Sequence, residues 1–289
     1  MKNLPVETGS VMIQWLAILV LLAGVVIDIK LLSQWRRHVA AFRNAMPAAH
    51  ARLQARPWRK VDAIALLGLI FLTALPALFE AIHPSKTSYA VPGTRMIVLQ
   101  FALVYGLIGG MIALAAWRNH SGISKGFGVM RVTLANDLRT GFFWGFACIP
   151  PTLLIACISN VVLDALGFDT SSQAVFDILS SPDLSMTGRI AIIGAAVVCA
   201  PLAEEMVYRG VVLPVVLRRF KLLGALLLVN GLFALFHFHL PAFAPLLALG
   251  MSLSVGMLAT GSVMTPVIMH ALFNAAAVLL FFAFPDIPV

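Results

Sequence analysis

The sequence is poor in charged residues, and acidic residues are the scarcer kind. Of its 289 residues, 11% are charged and 61% are hydrophobic, and 20 basic residues outnumber 12 acidic ones to give a net charge of +8. Soluble globular proteins average about 25% charged and 45–50% apolar residues. A charged fraction of 11% is too low to cover the water-exposed surface of a soluble domain. The composition therefore predicts an integral membrane protein.

The motifs of several common enzyme and binding classes are also missing. The three cysteines, Cys148, Cys157 and Cys199, lie in apolar runs without CxxC spacing, so neither a disulfide framework nor a cysteine-rich metal site is expected. The HExxH sequence of helical zinc proteases is absent, as are a phosphate loop, a dinucleotide fingerprint and a nucleic-acid-binding module. We therefore expect membrane lipid, and not nucleic acid, as a partner. The oligomeric state stays open.

Long apolar runs fill most of the chain. Because a membrane-spanning helix needs about 20 mainly apolar residues, we predict an all-α, polytopic transmembrane bundle of about eight spans. Their approximate ranges are 11–29, 61–82, 96–117, 140–163, 189–216, 222–240, 243–261 and 264–284.

The connections between these segments carry most of the basic residues. Residues 30–60 contain eight lysines and arginines and no acidic residue, residues 118–139 contain four, and residues 217–221 contain three. Residues 164–188 instead contain four aspartates and no lysine or arginine. Since positively charged loops tend to stay in the cytoplasm, the pattern predicts a multi-pass protein of the cytoplasmic membrane with both termini outside.

The first basic connection also has a helical pattern. In KLLSQWRRHVAAFRNAM, apolar residues recur at spacings of three and four, and the opposite face is basic. The apolar residues are Leu32, Trp35, Val39, Phe42 and Met46. We predict a helical extension of the first span that lies at the interface against anionic lipid. A docking surface for a protein partner is the alternative.

Three ionisable side chains lie inside the fifth apolar segment, in the sequence AEEMVYRG. A charge within a membrane helix costs about 2.5–3.5 kcal/mol on insertion scales and by default marks a functional site. Glu205 and Arg209 are four residues apart and can pair on one helix face. Glu204 is turned about 100° away from Glu205 and lies too far round for that pairing. A structural ion pair therefore explains Glu205 and Arg209 but not Glu204.

The sixth and eighth segments add imidazole and amide groups. On a helix, His237 shares a face with Phe233 while His239 points nearly the opposite way, so at most one of these two histidines is expected in a site. His270 and Asn274 are four residues apart on one face, beside small residues that allow close helix packing. Taken alone, this second pair is better explained as an interhelical hydrogen-bond clamp.

Together these groups match the requirements of hydrolysis by activated water. Glu204 would take a proton from a water molecule that His237 positions or polarises. His270 and Asn274 would donate hydrogen bonds to the developing oxyanion. No cysteine has an obvious histidine partner in the sequence, and we expect no covalent nucleophile. We also expect no cofactor, with a zinc ion held by Glu204, His237 and His270 as the alternative.

The three motifs, in this order, resemble the CPBP family of intramembrane proteases, which includes the type II CAAX prenyl endopeptidases and the bacterial abortive-infection proteins. The family pattern is EExxxR, then FxxxH, then HxxxN or HxxxD, on successive membrane helices. Here its three parts are Glu204–Arg209, Phe233–His237 and His270–Asn274. The resemblance covers about residues 140–284, which we predict to be the protease domain. Residues 1–139 would then form an accessory transmembrane region.

The resemblance implies a conical helical bundle with a cavity that opens to the cytosol, and a peptide or protein as the substrate. It also implies a glutamate-dependent mechanism in which Glu204 and His237 activate water, while His270 and Asn274 form the oxyanion hole. The neighbouring Glu–Arg pair would hold the catalytic helix in place. The family has also been described as metalloproteases, which keeps the zinc alternative open.

Two other classes of function are compatible with the sequence. A non-enzymatic immunity or regulatory factor could use the same scaffold to bind a bacteriocin or a signalling protein, and replacing Glu204 with glutamine would then change little. A proton-coupled transporter also needs carboxylates and histidines within the membrane. It predicts related broken helices in two halves of the chain, and no such duplication is visible.

Overall fold

The computed structural model describes residues 6–82, 93–170 and 174–284, and within these ranges the chain forms helices and no strand. The all-α prediction is confirmed. The helices are α1 (Val6–Ser33), α2 (Trp35–Gln54), α3 (Lys60–Ile82), α4 (Thr94–Arg118), α5 (Ile123–Phe127), α6 (Arg131–Ala165), α7 (Ala174–Ser180), α8 (Met186–Gly194), α9 (Ala200–Glu205), α10 (Leu213–Leu217), α11 (Leu222–Leu235), α12 (Leu240–Thr260) and α13 (Met264–Ala283).

Helices α8, α9 and α10 form one continuous helical stretch. Two π-helical segments, Ala195–Cys199 and Met206–Val212, join them. π-helical segments are rare in proteins, and those that do occur often lie at functional sites. Glu204 and Glu205 are the last two residues of α9, directly before the second π-helical segment.

Six helical stretches in the described part of the chain are long and apolar enough to cross a membrane. They are Val11–Ser33, Thr94–Arg118, Ile123–Ala165, Met186–Leu217, Leu240–Thr260 and Met264–Ala283. Each corresponds to one of the eight predicted segments, which confirms a multi-pass helical bundle. The other two predicted segments correspond to α3 and to α11, and α11 is only 14 residues long. The predicted count of eight is therefore approximate.

The ends of several elements differ from the sequence-based ranges. Helix α6 begins at Arg131 and not near residue 140, so it crosses the predicted boundary between the two regions of the chain. Its charged first turns suggested a loop, but the Asp137 carboxylate is buried and accepts a hydrogen bond from Thr133 within the same helix. The predicted extension of the first span is a separate helix, α2, because the chain turns at Gln34.

The three basic connections meet at one end of the bundle, which we call the basic end. Arg56, after α2, donates to the carbonyl oxygens of Lys125 in α5 and Gly261 after α12. Arg218, after α10, donates to the carbonyl oxygens of Trp58 and Gln54 at 2.8 and 2.9 Å. The sequence had predicted that these connections lie on one side, and the contacts place them together.

Helix α6 packs closely against α13 because glycines face the contact. A Cβ atom at Gly141 would lie 2.8 Å from Ile268 and 2.9 Å from the carbonyl oxygen of Thr265. A Cβ atom at Gly145 would lie 2.7 Å from Leu272. Small residues spaced by four allow membrane helices to approach in this way. The α6–α13 contact sets the position of the helix that carries His270.

Candidate active site

A cavity of about 330 Å³ lies inside the bundle, and the four predicted catalytic side chains all line it. Glu204 comes from α9, His237 from the connection after α11, and His270 and Asn274 from α13. Most of the remaining lining is apolar, which is typical of ligand pockets. The volume is at the small end of the range of about 300–1,000 Å³ for such pockets.

Glu205 and Arg209 form the ion pair that their spacing predicts, and they lie outside the lining of this cavity. Both side chains are 0% exposed, and Arg209 donates to Glu205 Oε1 at 2.7 Å. The same carboxylate oxygen lies 2.9 Å from Nδ1 of His270 on α13. Glu205 therefore connects the catalytic helix to the helix that supplies a second imidazole.

A buried polar network holds the Arg209 guanidinium in place. It donates to Asn230 Oδ1 on α11 at 3.0 Å and to the Gly250 carbonyl oxygen on α12 at 3.2 Å. Ser254, also on α12, donates to the same Asn230 oxygen at 3.0 Å. The guanidinium also lies over the Phe233 ring, 4.6 Å from its centroid, where a cation–π attraction is expected. These contacts lock three helices around Glu205.

Glu204 has a different environment from its neighbour. It is partly exposed and lines the cavity, whereas Glu205 does not. Each of the two carboxylates has one buried oxygen, Oε2, without a hydrogen-bond partner among the described residues. A second cavity, of about 260 Å³, lies on another side of Glu204 and is lined by residues of α3 and α4. Glu204, His237 and Tyr105 line both cavities. The carboxylate is thus available to a ligand, whereas that of Glu205 is engaged.

The prediction that His237 and His239 point in opposite directions is wrong, because both line the same cavity. Helical geometry does not apply to them, since α11 ends at Leu235 and both residues lie in the connection to α12. Phe238 between them has a φ of 47°, a left-handed conformation that non-glycine residues adopt seldom. The end of the helix and this turn bring the two imidazoles to one side.

The histidine contacts determine which ring atoms remain for a ligand. His237 Nδ1 lies 2.8 Å from the Phe233 carbonyl oxygen, which can only accept. Nδ1 therefore carries the hydrogen, and Nε2 of the neutral ring is an acceptor. His270 is fixed in the same manner, by the carboxylate of Glu205 at its Nδ1.

Asn274 donates from Nδ2 to the carbonyl oxygen of Ala196 at 2.8 Å. Ala196 belongs to the first π-helical segment, so this contact and the His270–Glu205 contact both cross between helices. They provide the interhelical clamp that the sequence offered as an alternative for His270 and Asn274. Because both residues also line the cavity, the clamp and a role in the site are compatible.

Two further cavity residues were not predicted. Tyr105 on α4 is an electrostatic neighbour of Glu204, and it belongs to the region predicted to be accessory. Asn160 on α6 also lines the cavity, and its Oδ1 atom is buried with no partner among the described residues. Asn160 is a polar residue inside a predicted span, and that signal could have identified it. Nothing in the sequence relates Tyr105 to Glu204.

One stretch matches a nucleophile motif by sequence. Residues 122–126 read GISKG, which matches GxSxG. A nucleophile elbow lies between a strand and a helix, whereas Ser124 is an exposed residue of the five-residue helix α5 at the basic end. None of these five residues lines either cavity. The match is therefore one of sequence alone.

The described residues do not fit a metal ion. No group of three histidine, cysteine, aspartate or glutamate side chains within them has a geometry that could hold one. The set considered from the sequence, Glu204, His237 and His270, lines one cavity. Glu205 engages Nδ1 of His270, which leaves Nε2 as the ring atom open to a ligand. We therefore assign no catalytic step to a metal.

Comparison with known proteins relates the site region to one family. Curated proteins and solved structures give no match. The family model described as type II CAAX prenyl endopeptidase Rce1-like matches residues 186–276, a range that contains all three motifs. This match indicates a protease of the CAAX type, which is a hydrolase acting on a peptide or protein at a membrane. It confirms that this part of the chain resembles the CPBP family, as its motifs predict.

Proposed function

We propose that the protein is an intramembrane endopeptidase that uses Glu204 to activate water and hydrolyses a peptide bond of a membrane-associated protein or peptide. The observation that carries the proposal is the different environment of two adjacent carboxylates. Glu205 is fully buried, paired with Arg209 and outside the cavity lining, while Glu204 is partly exposed and lines the cavity. A general base must be able to reach its water in the cavity, and of these two glutamates it is Glu204 that meets the requirement.

In the proposed reaction, a water molecule lies between Glu204 and His237. Glu204 accepts a proton from it, and Nε2 of His237, an acceptor in the neutral ring, accepts a hydrogen bond from the O–H group that remains and so orients it. The resulting hydroxide attacks the carbonyl carbon of the scissile bond, and the C–N bond then breaks as the protonated Glu204 returns the proton to the leaving nitrogen. One water molecule and one peptide bond are consumed and a carboxylic acid and an amine are formed, so the reaction needs no further reactant.

The oxyanion of the tetrahedral intermediate would be stabilised by His270 and Asn274. Asn274 has a second amide hydrogen besides the one that Ala196 accepts. His270 has Nδ1 at the Glu205 carboxylate, and its Nε2 atom carries a hydrogen only when the ring is doubly protonated. Donation from His270 therefore requires the imidazolium form, which gives Glu205 a role in catalysis through His270.

Cleavage of a quenched fluorescent peptide library by the purified protein in detergent tests the proposal. Glu204→Gln and His237→Ala should each lower kcat by about 10²–10⁴-fold, the usual contribution of general acid–base catalysis. Asp164→Asn is the matched control, because it makes the same carboxylate-to-amide change at an exposed position outside the cavity. Its kcat should equal that of the wild type.

A chelator arm separates this mechanism from a metal-dependent one, and wild-type activity should survive it. Loss of activity with chelator, restored by added zinc, would contradict the proposal. So would a Glu204→Gln variant that folds normally and cleaves at the wild-type rate. That result would place the general base elsewhere, whereas a wild-type protein that folds normally and cleaves no peptide of the library would support the non-enzymatic binding scaffold.

A further inference from the structure

The catalytic cavity extends from Glu204 and His270 toward the end of the bundle opposite the basic end, and the second cavity reaches Glu204 from the side, between α3 and α4. Glu204, His270 and Phe273 lie near the middle of their helical stretches. The other lining residues lie in the half of their helices farther from the basic end, or in the connections at the opposite end. Those nearest the opposite end include Asn160, Thr170, Val175 and Val278.

The side of Glu204 toward the basic end is filled by buried side chains. Glu205, Val207, Tyr208, Arg209 and Phe233 are each at most 2% exposed. The polar network around Arg209 belongs to the same packed layer. A peptide could not reach Glu204 through this layer without separating α9, α11 and α12.

The mouth of the cavity lies at the end with the acidic connection. Thr170 and Val175 are partly exposed and line the cavity. They lie within residues 164–188, which carry four aspartates and no lysine or arginine. The basic residues of 30–60, 118–139 and 217–221 lie at the other end, where their segments contact one another. By the positive-inside rule, the basic end is cytoplasmic and the mouth faces the opposite side.

From this geometry, and on the basis of the proposed function, we propose that the protease receives its substrate from the extracytoplasmic side of the membrane. The substrate would be an extended, largely apolar peptide segment, presented by an exported protein or by the outer end of a membrane-anchored one. This side is opposite to the cytosolic opening that the family resemblance implies. It excludes a substrate whose cleavable bond stays in the cytosol.

The polar atoms along the cavity fit an extended peptide. The buried Oδ1 atom of Asn160 has no partner among the described residues, and it lies between the mouth and Glu204 in the cavity lining. A backbone N–H group of a peptide is a donor that could satisfy it, and an unpaired buried acceptor costs about 1–3 kcal/mol. His239 and Thr170 add two further polar side chains to the same lining.

Thiol labelling tests the direction of access without relying on proteolysis. Cys148, Cys157 and Cys199 are first replaced with alanine, and single cysteines are introduced as Thr170→Cys at the mouth and Asn160→Cys deeper in the cavity. Ser124→Cys is the matched control, because Ser124 is exposed at the basic end. A membrane-impermeant maleimide is then applied to intact bacterial cells expressing each variant and to inverted membrane vesicles.

We expect Thr170→Cys and Asn160→Cys to be labelled in intact cells, at least tenfold faster than in inverted vesicles, and Ser124→Cys to show the reverse. Labelling of the cavity positions from the same side as Ser124→Cys would overturn the proposal, as would labelling of Ser124→Cys in intact cells. These results do not depend on catalysis, so a failure of the proposed function would leave them readable.

A second arm uses a membrane-impermeant peptide that the detergent-solubilised protein cleaves. Right-side-out vesicles should cleave it at least tenfold faster than inverted vesicles of equal protein content. Equal rates, or faster cleavage by inverted vesicles, would overturn the assignment of side while leaving the endopeptidase activity established.

Discussion

Removing the Glu205 carboxylate alone should destabilise the protein more than removing the whole ion pair. Glu205 and Arg209 are both 0% exposed, so Glu205→Leu leaves a guanidinium buried without its counter-charge. Breaking a buried pair by removing one partner typically costs about 3–5 kcal/mol, whereas replacing both partners with apolar residues is often close to neutral. The double variant Glu205→Leu/Arg209→Met should therefore be more stable than the single variant.

The magnitude of the difference follows from the other contacts of the pair. His270 loses its carboxylate partner in both variants, and an unsatisfied buried group costs about 1–3 kcal/mol. Asn230 keeps the hydrogen bond from Ser254. We therefore expect the single variant to lose about 3–5 kcal/mol of unfolding free energy, and the double variant to lose no more than about 1–3 kcal/mol.

The unfolding free energies of the variants are compared by unfolding in mixed micelles with a rising fraction of sodium dodecyl sulfate. The fluorescence of the five tryptophans is the signal. Arg209→Met is the complementary single variant and should resemble Glu205→Leu, since it leaves a carboxylate buried instead. A double variant that unfolds as easily as either single one would refute the reasoning. It would show that shape and hydrogen bonding, and not the unpaired charge, determine stability there.

Two further changes test the oxyanion site and the helix packing. Asn274→Ala should lower kcat by about 10²–10³-fold, the effect of losing one oxyanion donor, with little change in KM; a change confined to KM would place Asn274 in substrate binding instead. Gly141→Ala should lower the unfolding free energy, because its Cβ would lie 2.9 Å from the Thr265 carbonyl oxygen. Gly109→Ala is its control, since a Cβ there meets nothing within 4 Å, and equal stability of the two variants would contradict the packing account.

The sequence predicts those features of this protein that depend on local spacing. The Glu205–Arg209 pair forms because residues four apart share a helix face. The apolar runs become spanning helices because the membrane imposes a minimum length on them. The clustering of the basic connections at one end was predicted by charge alone, although the contacts that join them involve residues such as Arg218 and Trp58, more than a hundred positions apart.

The features that escaped prediction depend on where elements end and on how helices meet. His239 was placed away from the site because α11 was extended through residue 240, whereas the helix ends at Leu235. The contact between His270 and Glu205 joins residues 65 positions apart, and no periodicity encodes it. Tyr105 reaches Glu204 from a different part of the chain, so the region predicted to be accessory contributes a wall of the site.

The two adjacent glutamates depend on each other through this arrangement. A buried charge needs a partner and hydrogen bonds to be tolerated in a membrane, and the Arg209 network supplies them for Glu205 on three helices. Because Glu204 directly precedes Glu205 on the same helix, about 100° away around its axis, fixing Glu205 also fixes the direction of Glu204 into the cavity. On the proposed mechanism, the ion pair thus stabilises the bundle and orients Glu204, while Glu204 Oε2 has no hydrogen-bond partner within the described part of the chain. A single glutamate could not both pair with Arg209 and remain open to the cavity, so the two roles need two neighbouring carboxylates.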